Sequence, residues 1–181
     1  SLLAIIGASS NLGNSDLTQT DDERFYNGDG KILYFSNLKS FNISTDSFPQ
    51  FYFNTESGSE IARFHFDNSG NTGIGYRVFQ DIKVDSAEAN NANGRSALRA
   101  FIAGQGNTAN GSSALSNLLR GSNNLAGGIG SMDVIENGSR NVGLGPYIFG
   151  SINSLEFNNN TGVGYRTGFN ETRSNMTYYG T

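Results

Sequence analysis

The side chains that could carry chemistry are sparse in this 181-residue chain, and their spacing matches no known catalytic set. His65 is the only histidine, and no Gly-x-Ser-x-Gly elbow would present a serine nucleophile beside it. A glycoside hydrolase needs two carboxylates set across a sugar. The carboxylates that could serve, with no evident pairing among them, are Asp81, Asp85, Glu88, Asp133, Glu136, Glu156 and Glu171. We therefore predict that the chain is not an enzyme, with a polysaccharide depolymerase as the alternative.

Metal and cofactor binding have equally little support in the sequence. His65 follows Arg63 on the polar side of an alternating segment, which predicts an exposed side chain rather than a ligand. The segment NGDG at residues 27–30 carries one carboxylate, which is typical of a turn rather than a calcium loop. Cysteine is absent, so thiolate sites are excluded. The glycines of NTGIG are not followed by the helix-forming residues of a dinucleotide site. We predict no metal and no cofactor.

The composition indicates a chain of short strands and many turns. Gly (24), Asn (24) and Ser (22) make up more than a third of the residues, which leaves little material for an ordinary core. Gly and Asn tolerate the left-handed backbone of tight turns. The net charge is −4 and the basic residues form no run, which argues against nucleic-acid binding. No apolar run approaches the length of a membrane span.

The first part of the chain predicts a small antiparallel β-domain over residues 12–69. Turn residues 27–30 separate two aromatic runs, as in a hairpin. The segment EIARFHFD alternates, which predicts Ala62, Phe64 and Phe66 inward and Arg63 and His65 outward. Residues 1–11 are apolar but short, and we interpret them as a docking or linker segment.

The remainder of the chain, residues 70–181, contains about six short repeats. A six-residue pattern recurs at steps of 14 to 22 residues. It begins with Asn, has Gly or Ala at its fifth residue, and usually has an apolar residue at its sixth. The matches begin at Asn71, Asn93, Asn110, Asn124, Asn141 and Asn160. Their fifth and sixth residues are Gly75–Tyr76, Ala97–Leu98, Ala114–Leu115, Gly128–Ile129, Gly145–Pro146 and Gly164–Tyr165.

A repeat of this length suits one turn of a β-solenoid rather than a helical pair. We expect the small fifth residue at a crowded inward place and the sixth packed against its neighbours or another chain. The asparagines would stack as a ladder. Since so narrow a coil encloses little apolar volume, an oligomer is expected.

The phrases NTGIGYRVF (71–79) and NTGVGYRTGF (160–169) resemble the head repeats of trimeric autotransporter adhesins, which also occur in bacteriophage tail fibres and spikes. The resemblance implies an all-β chain whose second part is a left-handed parallel β-roll, assembled as a homotrimer. The segment from Asn11 to Thr45 is similar to one that precedes such repeats in phage fibre proteins. The repeat together with the resemblance predicts a structural core at Gly73, Ile74, Gly75, Ala97, Leu98, Ala114, Leu115, Gly128, Ile129, Gly143, Leu144, Gly145, Gly162, Val163 and Gly164.

The function that the resemblance implies is attachment of a virion fibre or spike to a host surface, through several weak contacts to a glycan or protein receptor. Other virion proteins would bind at the N-terminal end, and the protein would lie on the virion surface. Aromatic and arginine side chains near the C-terminal end are the candidate receptor-binding residues: Tyr165, Arg166, Phe169, Arg173, Tyr178 and Tyr179. Alternatives are the head of a bacterial surface adhesin, a depolymerase on the same scaffold, and a structural connector.

Overall fold

A computed structural model describes residues 50–54, 60–150 and 157–180 of the chain. The predicted N-terminal segment 1–11, the predicted turn at 27–30 and most of the predicted domain 12–69 lie outside these residues. The strands are β1 (Gln50–Asn54), β2 (Glu60–Phe66), β3 (Thr72–Gly75), β4 (Ala87–Glu88), β5 (Asn91–Asn93), β6 (Gly104–Gln105), β7 (Thr108–Asn110), β8 (Leu125–Gly127), β9 (Gly138–Ser139), β10 (Val142–Leu144), β11 (Phe157–Asn158), β12 (Thr161–Val163) and β13 (Thr177–Tyr179). One short 3-10 turn spans Val84–Ser86, and the described residues include no α-helix.

Nine of these strands form one sheet that runs the length of the described chain, in the order β1-β2-β3-β5-β7-β8-β10-β12-β13. The pairs β1–β2 and β2–β3 are antiparallel, and every later pair in the sheet is parallel. Each parallel strand thus belongs to a successive coil, and the coils stack into a β-solenoid of about six turns between residues 72 and 179. The predicted all-β fold with a parallel β-solenoid is therefore confirmed.

The opposite wall of the solenoid has its own, shorter ladder. Strand β4 pairs with β6 and β9 pairs with β11, all parallel, and single bridges join Ala103 to Arg120 and Arg120 to Asn137. A file of side chains reinforces this wall, because Ser122, Ser139, Asn158 and Ser174 each accept a bond from a backbone N–H one coil earlier.

A buried asparagine ladder forms one corner of the coil. Its members are Asn71, Asn90, Asn107, Asn124, Asn141 and Asn160, each fully or almost fully buried. In every step, the Oδ1 of one asparagine accepts two hydrogen bonds from the asparagine one coil later, one from its backbone N–H and one from its Nδ2. The bonds from the backbone N–H measure 2.9–3.1 Å. The expected asparagine stacking is confirmed, and it satisfies polar groups that burial would otherwise penalise.

The ladder corrects the repeat register that we predicted for the second and third coils. Asn71 aligns with Asn90 and then Asn107, so the matches at Asn93 and Asn110 were wrong by three residues. In the second and third coils an Asn-Gly pair, Asn93-Gly94 and Asn110-Gly111, stands three residues after the ladder asparagine, which produced the false match. The fifth residue of the second coil, opposite Gly75, is therefore Gly94 rather than Ala97. The fifth residue of the third coil is likewise Gly111 rather than Ala114.

The interior is filled by one small residue and a few large ones from each coil. The third residue of each repeat is Gly or Ala and is buried: Gly73, Ala92, Ala109, Ala126, Gly143 and Gly162. Larger side chains from the following turn occupy the space that these leave. The fully buried ones include Phe79, Leu98, Phe101, Leu115, Leu118, Met132, Ile148, Phe149 and Phe157. Ala97 and Ala114 are also buried core residues, at the eighth position of their coils.

The fifth residue of each repeat is Gly because neighbouring coils touch there through their backbones. Gly111 has φ +143°, and a Cβ at this residue would lie 2.5 Å from the carbonyl oxygen of Gly128 in the next coil. No L-residue fits both the conformation and the space. The seventh and ninth residues of each coil turn the chain with positive φ, for example Arg77 at 54° and Phe79 at 48°.

The prediction of which face of β2 is buried was wrong. His65, predicted outward, is 1% exposed, whereas Phe66, predicted inward, is 40% exposed. The register explains this, because β2 pairs with β3 so that His65 lies opposite the inward Gly73 and Phe64 lies opposite the outward Ile74. Side chains opposite each other on paired strands share a face, so β3 determines the orientation of β2. The His65 ring packs against Phe79, with 5.4 Å between ring centroids.

Candidate functional site

The sixth and seventh residues of each coil form an edge that follows the crowded glycine. These pairs are Tyr76–Arg77, Arg95–Ser96, Ser112–Ser113, Ile129–Gly130, Pro146–Tyr147 and Tyr165–Arg166. Every seventh residue has a positive φ, so the chain turns sharply here and presents the neighbouring side chains to solvent. Aromatic and arginine side chains concentrate at the two ends of this edge, in the first coil and in the last two.

At the first coil, one tyrosine ring lies beside two guanidinium groups. The Cζ of Arg77 is 5.0 Å from the centre of the Tyr76 ring, and the Cζ of Arg95, from the next coil, is 5.9 Å from it. Both distances are within the range of a cation–π contact. The Tyr76 ring therefore contacts two guanidinium groups from successive coils.

A third arginine is fixed next to this group by Glu60. The Glu60 carboxylate accepts bonds from Arg63 Nε (3.0 Å) and Nη2 (2.5 Å), and its Oε1 also accepts the backbone N–H of Arg77 (3.1 Å). The hydrogen bonds from Arg63 hold the pKa of Glu60 below its ordinary value, so this carboxylate is ionised at neutral pH. Glu60, Arg63, Tyr76, Arg77 and Gln80 line an open pocket of about 360 Å³.

The structure brings three of the six predicted receptor-binding residues together. Tyr165 is 60% exposed and packs edge-to-face against Tyr147, with 6.3 Å between centroids. The guanidinium of Arg166 lies 4.3 Å from the centre of the Phe169 ring. Tyr165, Arg166 and Phe169 thus form an aromatic and cationic surface at the last full coil.

The other three predicted residues have different surroundings. Arg173 donates to both carboxylate oxygens of Glu171, at 2.9 and 3.0 Å, and the Tyr178 hydroxyl donates to the same carboxylate. Tyr178 takes the inward position opposite Gly162, and its ring packs on Phe149 with 6.1 Å between centroids. Its large ring closes the end of the core, where no further coil follows in the described residues. Tyr179 lies on the outer face and is 79% exposed.

Glu171 carries the strongest electrostatic perturbation among the described residues. Hydrogen bonds from Arg173, with further backbone bonds from Arg173 and Thr172, lower the pKa of Glu171 to about 2. The carboxylate is therefore a structural anchor for the last coil. It also leaves Arg173 with its charge paired.

Two of the candidate carboxylates share a polar recess. Asp85 and Glu88 line a depression of about 480 Å³ together with Asn68, Ser69, Ser86, Ala87, Gly104, Gln105 and Ser122. Asp133 lies elsewhere, where desolvation by burial raises its pKa. Among the residues that the structure describes, no group of three His, Cys, Asp or Glu side chains is placed to hold a metal ion.

The sequence did not single out the arrangement at the first coil. Tyr76 and Arg77 belong to the same Gly-Tyr-Arg phrase as Tyr165 and Arg166, and this repetition was the available signal. The contribution of Glu60 and Arg63 depends on the β2–β3 pairing, and that of Arg95 depends on the stacking of coils. Neither follows from local sequence.

Comparisons with protein-family models, curated proteins and solved structures gave no significant match. The strand topology defines the class of the protein, which is a repetitive parallel β-solenoid. In the described part of the chain, no helix has the length and apolar character needed to cross a membrane.

Proposed function

We propose that the chain is a structural fibre or spike module that attaches a virion to its host cell surface through several weak contacts, with surface glycan as the receptor. The observation that carries this proposal is the exposed tyrosine and arginine edge at both ends of a rigid, hydrogen-bonded solenoid. Aromatic rings and guanidinium groups are the side chains that protein surfaces use most for recognition. Weak sites become effective when several chains present them together.

The proposed assembly is a homotrimer, and the outer face of the nine-stranded sheet supports self-association. Side chains that alternate with the buried small residues point outward along this face. Among them Ile74 (46%), Leu125 (39%) and Leu144 (41%) are exposed to solvent in the single chain. Leu125 and Leu144 lie on neighbouring strands, and Ile74 lies in the first coil, so the aliphatic part of this face is at its two ends. Exposed aliphatic side chains on neighbouring strands are typical of a surface that a partner covers.

The proposed location is the virion surface, with other virion proteins at the N-terminal end. The β-solenoid is equally compatible with the head of a bacterial trimeric adhesin, in which case the same edge would act from a bacterial cell surface. The resemblance of the sequence from Asn11 to Thr45 to phage fibre segments favours the virion.

A direct test is the binding of the fluorescently labelled chain to a panel of bacterial strains, before and after periodate oxidation of their surface sugars. We expect binding to a subset of strains, lost after oxidation. If binding is retained on oxidised cells, the receptor is a protein rather than a glycan. Absence of binding to every strain, for the assembled protein at micromolar concentration, would contradict the attachment proposal.

A depolymerase is the second candidate function, and the recess that contains Asp85 and Glu88 favours it. Two carboxylates in one polar recess are the minimum for acid–base cleavage of a glycoside. We would incubate the protein with purified surface polysaccharide and follow new reducing ends. Cleavage that the Asp85→Asn and Glu88→Gln variants both lose would establish this function, and absence of cleavage would remove it.

A further inference from the structure

The pocket at the first coil contains more positive than negative charge, although the chain as a whole carries −4. Three guanidinium groups, from Arg63, Arg77 and Arg95, lie in or beside it, and Glu60 is the carboxylate in its lining. Glu60 is already engaged by Arg63 through two hydrogen bonds. The local charge balance therefore differs in sign from that of the whole chain.

Arg77 and Arg95 share one tyrosine ring, and the carboxylate that acts on Arg77, Glu60, is already engaged by Arg63. Neither side chain forms an ion pair with any of the described residues, and the partner that they share is the ring of Tyr76. Two guanidinium groups near one another repel, and an anion between them removes the repulsion. Guanidinium groups bind planar carboxylates through paired hydrogen bonds, which adds geometric selectivity to the charge.

The remaining lining residues suit a hydroxyl-rich ligand. Gln80 offers an amide donor and acceptor, Glu60 offers carboxylate oxygens, and Tyr76 offers a phenol group. The volume of about 360 Å³ is at the lower end of the range for small-molecule sites. A single charged sugar unit with part of its neighbour fits these dimensions better than a large receptor surface does.

We propose that this pocket binds a carboxylate-bearing sugar, such as a uronic acid unit of a surface polysaccharide, with Arg77 and Arg95 on the carboxylate and Gln80 on the ring hydroxyls. The inference rests on the proposed attachment function and names the ligand class for one site. The other end of the edge has a smaller charge surplus, because Arg173 is paired with Glu171 and leaves Arg166, which stacks on Phe169, as its one guanidinium without an ion pair among the described residues.

The test is titration of the purified full chain with trigalacturonate, with the neutral galactose trisaccharide of the same linkage, and with inorganic sulfate, followed by calorimetry or NMR shifts. We expect binding of the acidic sugar at least ten-fold tighter than of the neutral sugar and of sulfate. The double variant Arg77→Gln/Arg95→Gln should lose at least ten-fold in affinity. Arg120→Gln, at an exposed position on the opposite wall of the solenoid, should leave the affinity unchanged.

Several results would overturn the inference. The first is no binding of the acidic sugar to the wild-type chain. The second is equal affinity for the neutral sugar or for sulfate. The third is an equal loss of affinity in Arg120→Gln. Thermal unfolding of each variant checks that the solenoid is intact. If the double variant does not fold, the single variant Arg95→Gln replaces it, since this change leaves the positive-φ turn at Arg77 unchanged.

Cell binding separates this inference from the attachment proposal. If the chain binds cells but not trigalacturonate, the assigned ligand is wrong and attachment stands. If the chain binds trigalacturonate but no cells, the site stands and attachment is wrong.

Discussion

At the scale of single residues, the buried asparagine ladder carries the most concentrated set of hydrogen bonds in the described chain. Asn107 is typical of it. Its Oδ1 accepts two bonds from Asn124, and its Nδ2 donates to Asn90 Oδ1 (2.9 Å) and to the carbonyl of Gly121 (2.8 Å). Removing such a group leaves buried donors and acceptors without partners, which costs more than the net value of the bonds.

We predict that Asn107→Ala lowers the free energy of unfolding by about 3 kcal/mol, because the two Asn124 donors lose their acceptor. Urea unfolding followed by circular dichroism measures this. Asn110→Ala is the matched control, since Asn110 is exposed on the neighbouring strand, and it should change stability by less than about 0.5 kcal/mol. The reverse order of effects would mean that the register given by the ladder is wrong.

The crowded glycines make a second prediction at this scale. Gly111→Ala should destabilise the chain by about 3 kcal/mol or more, because the new methyl group meets the backbone of Gly128 at a positive φ. Gly127→Ala is the control, since its nearest neighbour is the flexible end of Leu144 at 3.1 Å. Thermal unfolding of both variants compares them. Equal midpoints would contradict the close approach of coils.

Glu171 makes a prediction about acid stability. Its folded pKa of about 2 lies below the ordinary value of 4.5, so the stabilisation that it provides is complete above about pH 4.5 and is lost as the pH falls towards 2. The melting temperature of the wild-type chain should therefore fall more between pH 5 and pH 2.5 than that of Glu171→Gln. Glu136→Gln, at an exposed position, should follow the wild type. Parallel curves for Glu171→Gln and the wild type would exclude this role.

At the scale of elements, the start of the solenoid depends on how β2 meets β3. Asp67, in the turn between these strands, accepts the backbone N–H of Asn71 at 2.9 Å and its Nδ2 at 2.8 Å. Its other contact is His65 Nε2, at 3.2 Å, and the Asp67 side chain is fully buried. The carboxylate thus terminates the asparagine ladder at its N-terminal end, as Asn160 does at the other end by accepting the N–H of Met176.

We predict that Asp67→Ala loosens the first coil selectively, since coils in a solenoid contact only their neighbours. Hydrogen exchange should show lost protection in β3 and β5, while β10 and β12 keep theirs. Asp81→Ala, at an exposed position in the following turn, should alter neither region. A uniform loss of protection along the solenoid after Asp67→Ala would show that the coils unfold as one unit.

The elements also show how far sequence reasoning extends. The asparagine and the small fifth residue of the first, fourth, fifth and sixth coils, and the stacking of coils, were predictable, because each follows from a short pattern with a steric cause. The inward face of β2 was not predictable, because the alternation of EIARFHF is compatible with burial of either face. The pairing of His65 with Gly73 decides which face is buried. The predicted register of the second and third coils was wrong because an Asn-Gly pair lies three residues after the ladder asparagine in both of them.

At the scale of the whole molecule, the same limit applies to the candidate sites. Tyr165, Arg166 and Phe169 are close in sequence and meet in space, so the surface that they form was predictable. The pocket at the first coil gathers Glu60, Tyr76 and Arg95 from three successive strands and turns. Such a cluster depends on stacking, and no local pattern contains it.

The exposed aliphatic side chains of the outer sheet face support our central proposal, which is that the solenoid assembles as a homotrimer through this face. Leu144→Ser should weaken association without destabilising the single chain, because the Leu144 side chain is 41% exposed and alternates with the buried Gly143. Asn110→Ser, in the polar part of the same face, should leave association unchanged.

The most direct measurement is the solution mass of the purified chain by light scattering. The account predicts a mass near three times 19.4 kDa for the wild type, with a shift towards the single-chain mass in Leu144→Ser. A wild-type mass of 19.4 kDa at all concentrations would contradict it, since multivalent attachment through this chain requires several copies.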